Sequence, residues 1–170
     1  MARAIGRGEV RGTHMSTQAQ EDKFVGAREQ AQAQFESIRE MVQAFEVAKQ
    51  KDHDTNDMRD YENAERAIRE DALSVQVRSA WHSPGEEQGQ HPAEYEILLC
   101  TGGPAVRIVG ELSEHCEPET ARLEMQDWFL PWTEYPVPSK SQSHGTDGPY
   151  IDGDAEDVLL AYANCFWYGG

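Results

Sequence analysis

The apolar residues of this chain change their spacing once, near Asp71, and that change constrains the fold more than any other feature. Before it, Phe35, Ile38, Val42 and Phe45 recur at i, i+3, i+7 and i+10, the spacing of one helical face that must bury against something. A first helix is expected over residues 18–51. Its upstream part, EDKFVGAREQAQAQ, is rich in Ala and Gln, poor in large apolar groups, and expected to fray or stand away from the body. A polar break at 52–57 offers Asn56 or Asp57 as an N-cap. A second helix follows over 55–70, with Met58, Tyr61, Ala64 and Ile68 inward, and the short connection favours an antiparallel helical hairpin.

After the change, Leu73, Val75, Val77, Ser79 and Trp81 alternate with Ser74, Gln76, Arg78 and Ala80, the pattern of a strand with one buried face. Two more strands, 95–101 and 105–112, are joined by Gly102-Gly103-Pro104. Gly-Gly suits a tight turn, but Pro104 lacks the N–H that would close a two-residue one, so a wider loop is expected. Across it Cys100 would pair with Ala105, Leu99 with Val106 and Ile97 with Ile108. That register places Tyr95, Ile97, Leu99, Val106 and Ile108 on one apolar face. Leu98, Val109 and a diagonal Glu96–Arg107 pair fall on the other.

Residues 120–128 read as a fourth strand with Ala121, Leu123 and Met125 inward. WFLPWTEYPVP, broken by three prolines, is expected as an extended edge or packed loop. A polar linker over 136–152 leads to a last helix over 153–167, with Val158, Leu159, Tyr162, Cys165 and Phe166 inward. Asp152, Asp154, Glu156 and Asp157 crowd its start, where the helix dipole favours negative charge. The fold class is α+β: an N-terminal helical hairpin, a four-stranded antiparallel meander over 73–135, and a C-terminal helix packed on the sheet. One domain spans 15–170. Residues 1–14 carry three Arg against one Glu, resemble an expression scar or an upstream start before Met15, and are read as a non-native or disordered leader.

The formal net charge is −16, and from Ser79 onward sixteen acidic residues face only Arg107, Arg122 and Lys140, a balance of −13. Such a field repels nucleic acids and anionic membranes, so neither is expected as a direct partner. It attracts basic protein surfaces, including those of nucleic-acid-binding proteins. No apolar run approaches the roughly 20 residues of a membrane helix, and a cytoplasmic protein is expected. Cys100, Cys116 and Cys165 are odd in number and widely spaced, and Cys100 and Cys165 read as small buried hydrophobes.

The acid-rich stretch after Asp147 does not fit a calcium loop: counted from Asp152, the sixth residue is Asp157 rather than Gly and the twelfth is Ala163 rather than Glu. His53, His82, His91, His115 and His144 lack the paired spacing of zinc ligands, so no metal or cofactor is expected. No nucleophile elbow, phosphate loop or metalloprotease His pair is present, and no catalytic residue is assigned. Trp128, Phe129, Trp132 and Tyr135 form the most unusual local cluster. It reads either as a core edge capped by prolines or as an exposed patch rimmed by Glu124, Asp127 and Glu134.

EYEILLCTGGPAVRIVGEL and ARLEMQDWFLPWTEY, within residues 94–135, resemble small uncharacterised acidic proteins of phages, prophages and conjugative elements. The resemblance implies a setting where small acidic proteins block host defence or regulatory proteins. The expected function is therefore a non-enzymatic acidic protein-binding module, with a nucleic-acid mimic or an inhibitor of a basic host protein as its sharpest form. Its expected partner-binding residues are Glu111, Glu114, Glu117, Glu119, Asp127, Trp128, Trp132 and Glu134. The alternative is a small enzyme or ligand-binding domain with a site near residues 128–135 and His82 or His115.

Overall fold

The computed structural model describes residues 24–55, 58–85, 91–137 and 154–169, with the side chains of 52–55 set aside. The expected leader, the Asn56 or Asp57 cap and most of the linker lie outside these residues. Helix α1 spans Val25–Thr55 and α2 spans Arg59–Asp71. Five strands follow, β1 Ser74–Ser79, β2 Pro92–Cys100, β3 Ala105–Glu111, β4 Arg122–Gln126 and β5 Thr133–Glu134, and then α3, Ala155–Ala163. The architecture is α+β, with a single antiparallel sheet in the order β1-β2-β3-β4-β5.

Phe35, Ile38, Val42 and Phe45 are all buried, as their spacing requires. The start of α1 does not stand away: Ala27 and Ala31 are fully buried and Phe24 packs against the core. Alanine supplies little apolar area, but its small side chain lets a helix backbone lie close to its neighbours. α1 packs on α2, α3, β3 and β4. The Phe45 and Tyr61 rings, 5.1 Å apart, and the Lys51–Asp60 pair at 3.8 Å show α2 doubling back along α1. Within α2, Ile68 is buried, whereas Met58 occupies the N-cap position and is exposed instead of facing inward.

In the β2–β3 hairpin Ile97 pairs with Ile108 and Leu98 with Arg107, but the register then shifts so that Cys100 pairs with Val106. Neither the Leu99–Val106 nor the Cys100–Ala105 pairing forms. One extra residue enters on the β2 side, the two-against-one arrangement of a bulge, next to a loop that Pro104 prevents from closing tightly. The bulge leaves Leu99 buried and Cys100 packed against the core, so the apolar face survives the slip.

The sheet has five strands rather than four. The fifth forms because the proline-broken segment turns back, setting Thr133 opposite Met125 and Glu134 opposite Glu124. Pro131 and Pro136 remove donors on either side and hold β5 to two residues. β1 alternates as expected, yet Leu73 (58% exposed), Val77 (44%) and Trp81 are not covered, and only Val75 of its inner row packs against the core. The pattern marks a face; the helices lie chiefly over β3 and β4.

α3 ends at Ala163 and the chain turns, which still buries Cys165 and sets the Phe166 ring 5.4 Å from that of Tyr162, tilted by 50°. Tyr168 returns onto β2, its ring 5.0 Å from that of Tyr95. Two side-chain bonds tie α2 to this segment: Arg69 Nε donates to the Cys165 carbonyl at 2.9 Å, and the Tyr162 hydroxyl donates to Asp71 at 2.7 Å.

Candidate functional site

The loop between β3 and β4 is shaped by its own short bonds. Leu112 bridges to Pro118, the Ser113 N–H donates to the Glu117 carbonyl at 2.9 Å, and Ser113 Oγ accepts from the His115 and Glu117 N–H groups at 3.2 Å. At its base, Glu111 N–H donates to Thr120 Oγ1 at 3.0 Å, and Glu119 N–H to the Glu111 carbonyl at 2.9 Å. With the backbone satisfied internally, Glu111, Glu114, Glu117 and Glu119 all point to solvent.

A second acidic group stands at the start of α3. Asp154, Glu156 and Asp157, at the start of α3, are exposed. The Tyr95 hydroxyl donates to the Thr120 carbonyl at 2.8 Å, and its pKa is driven well above the usual phenol range, chiefly by burial. Arg122 opposes that rise and Glu156 adds to it. Among the described residues none of these seven carboxylates is in an ion pair with Lys or Arg.

The open face of the sheet is different. Glu94 is held by Arg78, whose Nε lies 2.9 Å away. Arg107 contacts Glu96, as the diagonal pairing predicts, and also donates to Glu124 at 2.7 and 2.9 Å. Arg122 Nε reaches the other Glu124 oxygen at 3.1 Å. The Trp132 ring lies over the Arg107 guanidinium, 4.1 Å from centroid to carbon, a cation–π arrangement. A depression of about 200 Å³ sits here, lined by Gln76, Arg78, Glu94, Glu96, Arg107 and Arg122 among others. Its charges are paired, so this face is not a continuous negative surface.

The aromatic cluster is divided. Trp128 (67% exposed) and Phe129 (100%) project from the β4–β5 turn, which is closed by Leu130 N–H to the Asp127 carbonyl at 2.9 Å. Gln126 Nε2 adds a bond to the Leu130 carbonyl at 2.8 Å. Trp128 adopts a positive φ of 43°, unusual for a bulky residue, and its indole covers Gly103, where any Cβ would overlap the ring. Trp132 belongs to the open face, and Tyr135 packs against the core, burial raising its pKa. Asp127 is half-buried and Glu134 exposed at the β5 edge.

The eight expected partner-binding residues thus fall into two sets. Glu111, Glu114, Glu117 and Glu119 occupy the end of the sheet where β3 runs into β4; Asp127, Trp128, Trp132 and Glu134 lie toward the opposite end, at the β4–β5 turn and the β5 edge. Asp154, Glu156 and Asp157 are a separate exposed group in the helix-start role expected of them, with Asp157 accepting the Asp154 N–H at 2.7 Å. Trp81 and Trp167, both highly exposed, were read as parts of a strand and a helix. No sequence signal would have found these, because exposure depends on where the other layer stops.

His82, His91 and His115 are exposed; the His53 side chain and His144 lie outside the described residues. Among the described residues no group of three His, Cys, Asp or Glu is placed to hold a metal. Burial raises the Cys100 thiol and pushes that of Cys165 up to about 11, as expected for thiols packed among apolar groups. No described helix is long and apolar enough to cross a membrane. Comparison with protein-family models, curated proteins and solved structures returns no match.

Proposed function

We propose that this chain is a non-enzymatic acidic binding module whose loop end docks on a basic protein surface of the kind nucleic-acid-binding proteins present. The observation that carries the reading is the row of carboxylates on the β3–β4 loop, Glu111, Glu114, Glu117 and Glu119, all exposed and without cationic partners among the described residues. A partner that supplies Lys and Arg there would relieve the mutual repulsion of these carboxylates, an attraction that acts mainly on the association rate. In its nucleic-acid-mimic form the mimicry belongs to this end, since the open-face carboxylates are paired. The setting proposed is that of a mobile element, with a host defence or regulatory protein as target.

The ligand-binding alternative has less support. The aromatic segment projects Trp128 and Phe129 outward, and the open-face depression is lined by paired Arg and Glu with no described histidine beside it.

The test is capture of partners from a host lysate at low salt, followed by surface plasmon resonance on the captured protein. Changing Glu111, Glu114, Glu117 and Glu119 to Gln should slow association without unfolding the domain. Affinity should fall steeply between about 0.1 M and 1 M salt, as the Debye length shrinks from about 10 Å to about 3 Å. A partner indifferent to both salt and the four substitutions removes the acidic end from consideration.

A further inference from the structure

β1 is one of the two edges of the sheet, and no described residue pairs with its outer side. Every second peptide group of an edge strand directs its N–H and C=O away from the sheet, a template for another strand. Protein edges are commonly guarded by shortness, proline, inward charge or lysine. The opposite edge has such guards: β5 is two residues long and lies between Pro131 and Pro136. β1, SVQVRS, has six residues, no proline and no lysine, and its only irregularity falls at its last residue, between Arg78 and Ser79. Leu73 and Val77, which alternate with the inward Val75, are exposed, and so is Trp81, two residues past the end of the strand. The chain has 31 acidic residues, yet none lies between Ala72 and Gly85.

We propose that β1 is the interface between two copies of this chain, joined antiparallel and edge to edge into one continuous sheet. The occupant is a second copy because the edge is complementary to itself in both pattern and charge. With a twofold axis at Val77, that residue meets its own copy, Val75 meets Ser79, and Leu73 meets Trp81 on the apolar side. On the other side Gln76 meets Arg78, so no like charges stand opposite each other. Arg78 is already neutralised by Glu94 within its own chain. Two bodies of charge −16 repel each other, and the acid-free edge is the approach that repulsion opposes least. Pairing would cover Leu73, Val77 and Trp81 with the same residues of the partner copy.

This inference does not rest on the acidic-end reading, and salt separates the two. Added salt screens repulsion between copies while leaving apolar contact intact, so the dimer tightens; binding of a basic partner weakens under the same change. The experiment is sedimentation velocity with light scattering on the full chain from about 1 to about 100 µM, at about 0.1 M and 0.5 M NaCl. A species at twice the 19.1 kDa chain mass, favoured at the higher salt, is expected. Val77→Lys should raise the dissociation constant about a hundredfold or more, since it places two charges at the symmetry axis in place of two apolar groups. Trp81→Ala, at a site fully exposed among the described residues, should weaken the dimer with an unchanged melting curve. Hydrogen exchange at the amides of residues 74–79 should slow as protein concentration rises. The proposal is overturned by a wild-type chain that keeps the single-chain mass throughout, by a dimer that survives both substitutions, or by concentration-dependent protection that appears elsewhere.

Discussion

Gly110→Ala should be among the most damaging single-methyl changes available to this chain. Gly110 sits in β3 opposite Tyr95, and a Cβ built on it would overlap the Thr120 carbonyl and stand 2.7 Å from the Tyr95 ring. Neither neighbour is free to retreat. The Thr120 carbonyl accepts the Tyr95 hydroxyl at 2.8 Å, Thr120 Oγ1 accepts the Glu111 N–H at 3.0 Å, and the Tyr95 ring is wedged against Tyr168. Relief requires β3 and the loop base to separate by about an ångström, which adds overpacking of about 1–3 kcal/mol to the loss of a part-buried hydrogen bond worth about 1 kcal/mol. The gain from a less flexible unfolded chain, about 0.5–1 kcal/mol, offsets little of this. A net loss of about 2–3 kcal/mol should lower Tm by roughly 4–12 °C in a domain of this size. The control is Gly26→Ala near the start of α1, where an added methyl meets nothing within 4 Å. It should be neutral or stabilise by up to about 1 kcal/mol. Thermal and urea unfolding followed by circular dichroism measure both. A Gly110→Ala chain within about 0.5 kcal/mol of wild type, on the scale of ordinary surface changes, would refute the close-approach argument.

Ile108→Ala, at a fully buried position, should cost about 2–5 kcal/mol, while Arg107→Ala on the open face should cost about 1–2 kcal/mol by leaving Glu96 and Glu124 without their shared cation; urea denaturation decides, and a reversed order would refute the register. Stability should fall from about pH 9 upward. Burial raises the pKa of Tyr95, Tyr162, Tyr168 and Cys165 in the folded chain, so the unfolded chain loses these protons first and is favoured as pH rises. The check is Tm across pH 8–11 together with tyrosinate absorbance near 295 nm, and a flat profile to pH 11 contradicts it. Tyr162→Phe, which removes the bond to Asp71, should cost about 1–2 kcal/mol in equilibrium unfolding and shrink the alkaline drop.

The residues that announce their own partners were legible. The α1 stripe, the Ile97–Ile108 pairing, the inward Ala121, Leu123 and Met125, and the Glu96–Arg107 diagonal all follow from period and from the pleat. What failed depends on the extent of the other layer. Val77 and Trp81 alternate as core residues do, yet the helices lie over β3 and β4, and alternation carries no information about cover. Leu99 lies on the buried face as expected, but Val106 pairs with Cys100 instead of Leu99, because a bulge conserves the apolar face while changing the pairing. Glu111, Glu114, Glu117 and Glu119 were legible as an acidic loop because charges set between a strand end and a turn have only solvent to face. Beyond the Glu96–Arg107 pair, the charge balance after Ser79 carried no sign that folding gathers Arg78, Arg107 and Arg122 onto the open face.

The strict succession β1 to β5, each strand beside the one made before it, carries a kinetic consequence. Every pairing closes a short loop, so the meander can zip up hairpin by hairpin without waiting for a distant segment. The helix that covers it is the exception. α1 precedes the whole sheet, and its contacts with β3 and β4 span more than fifty residues. The stripe from Ala27 to Ala48 thus emerges first and finds its floor last. The rate of folding should accordingly be governed by the docking of α1, and substitutions at Ile38 or Val42 should slow refolding more than substitutions within the β2–β3 turn.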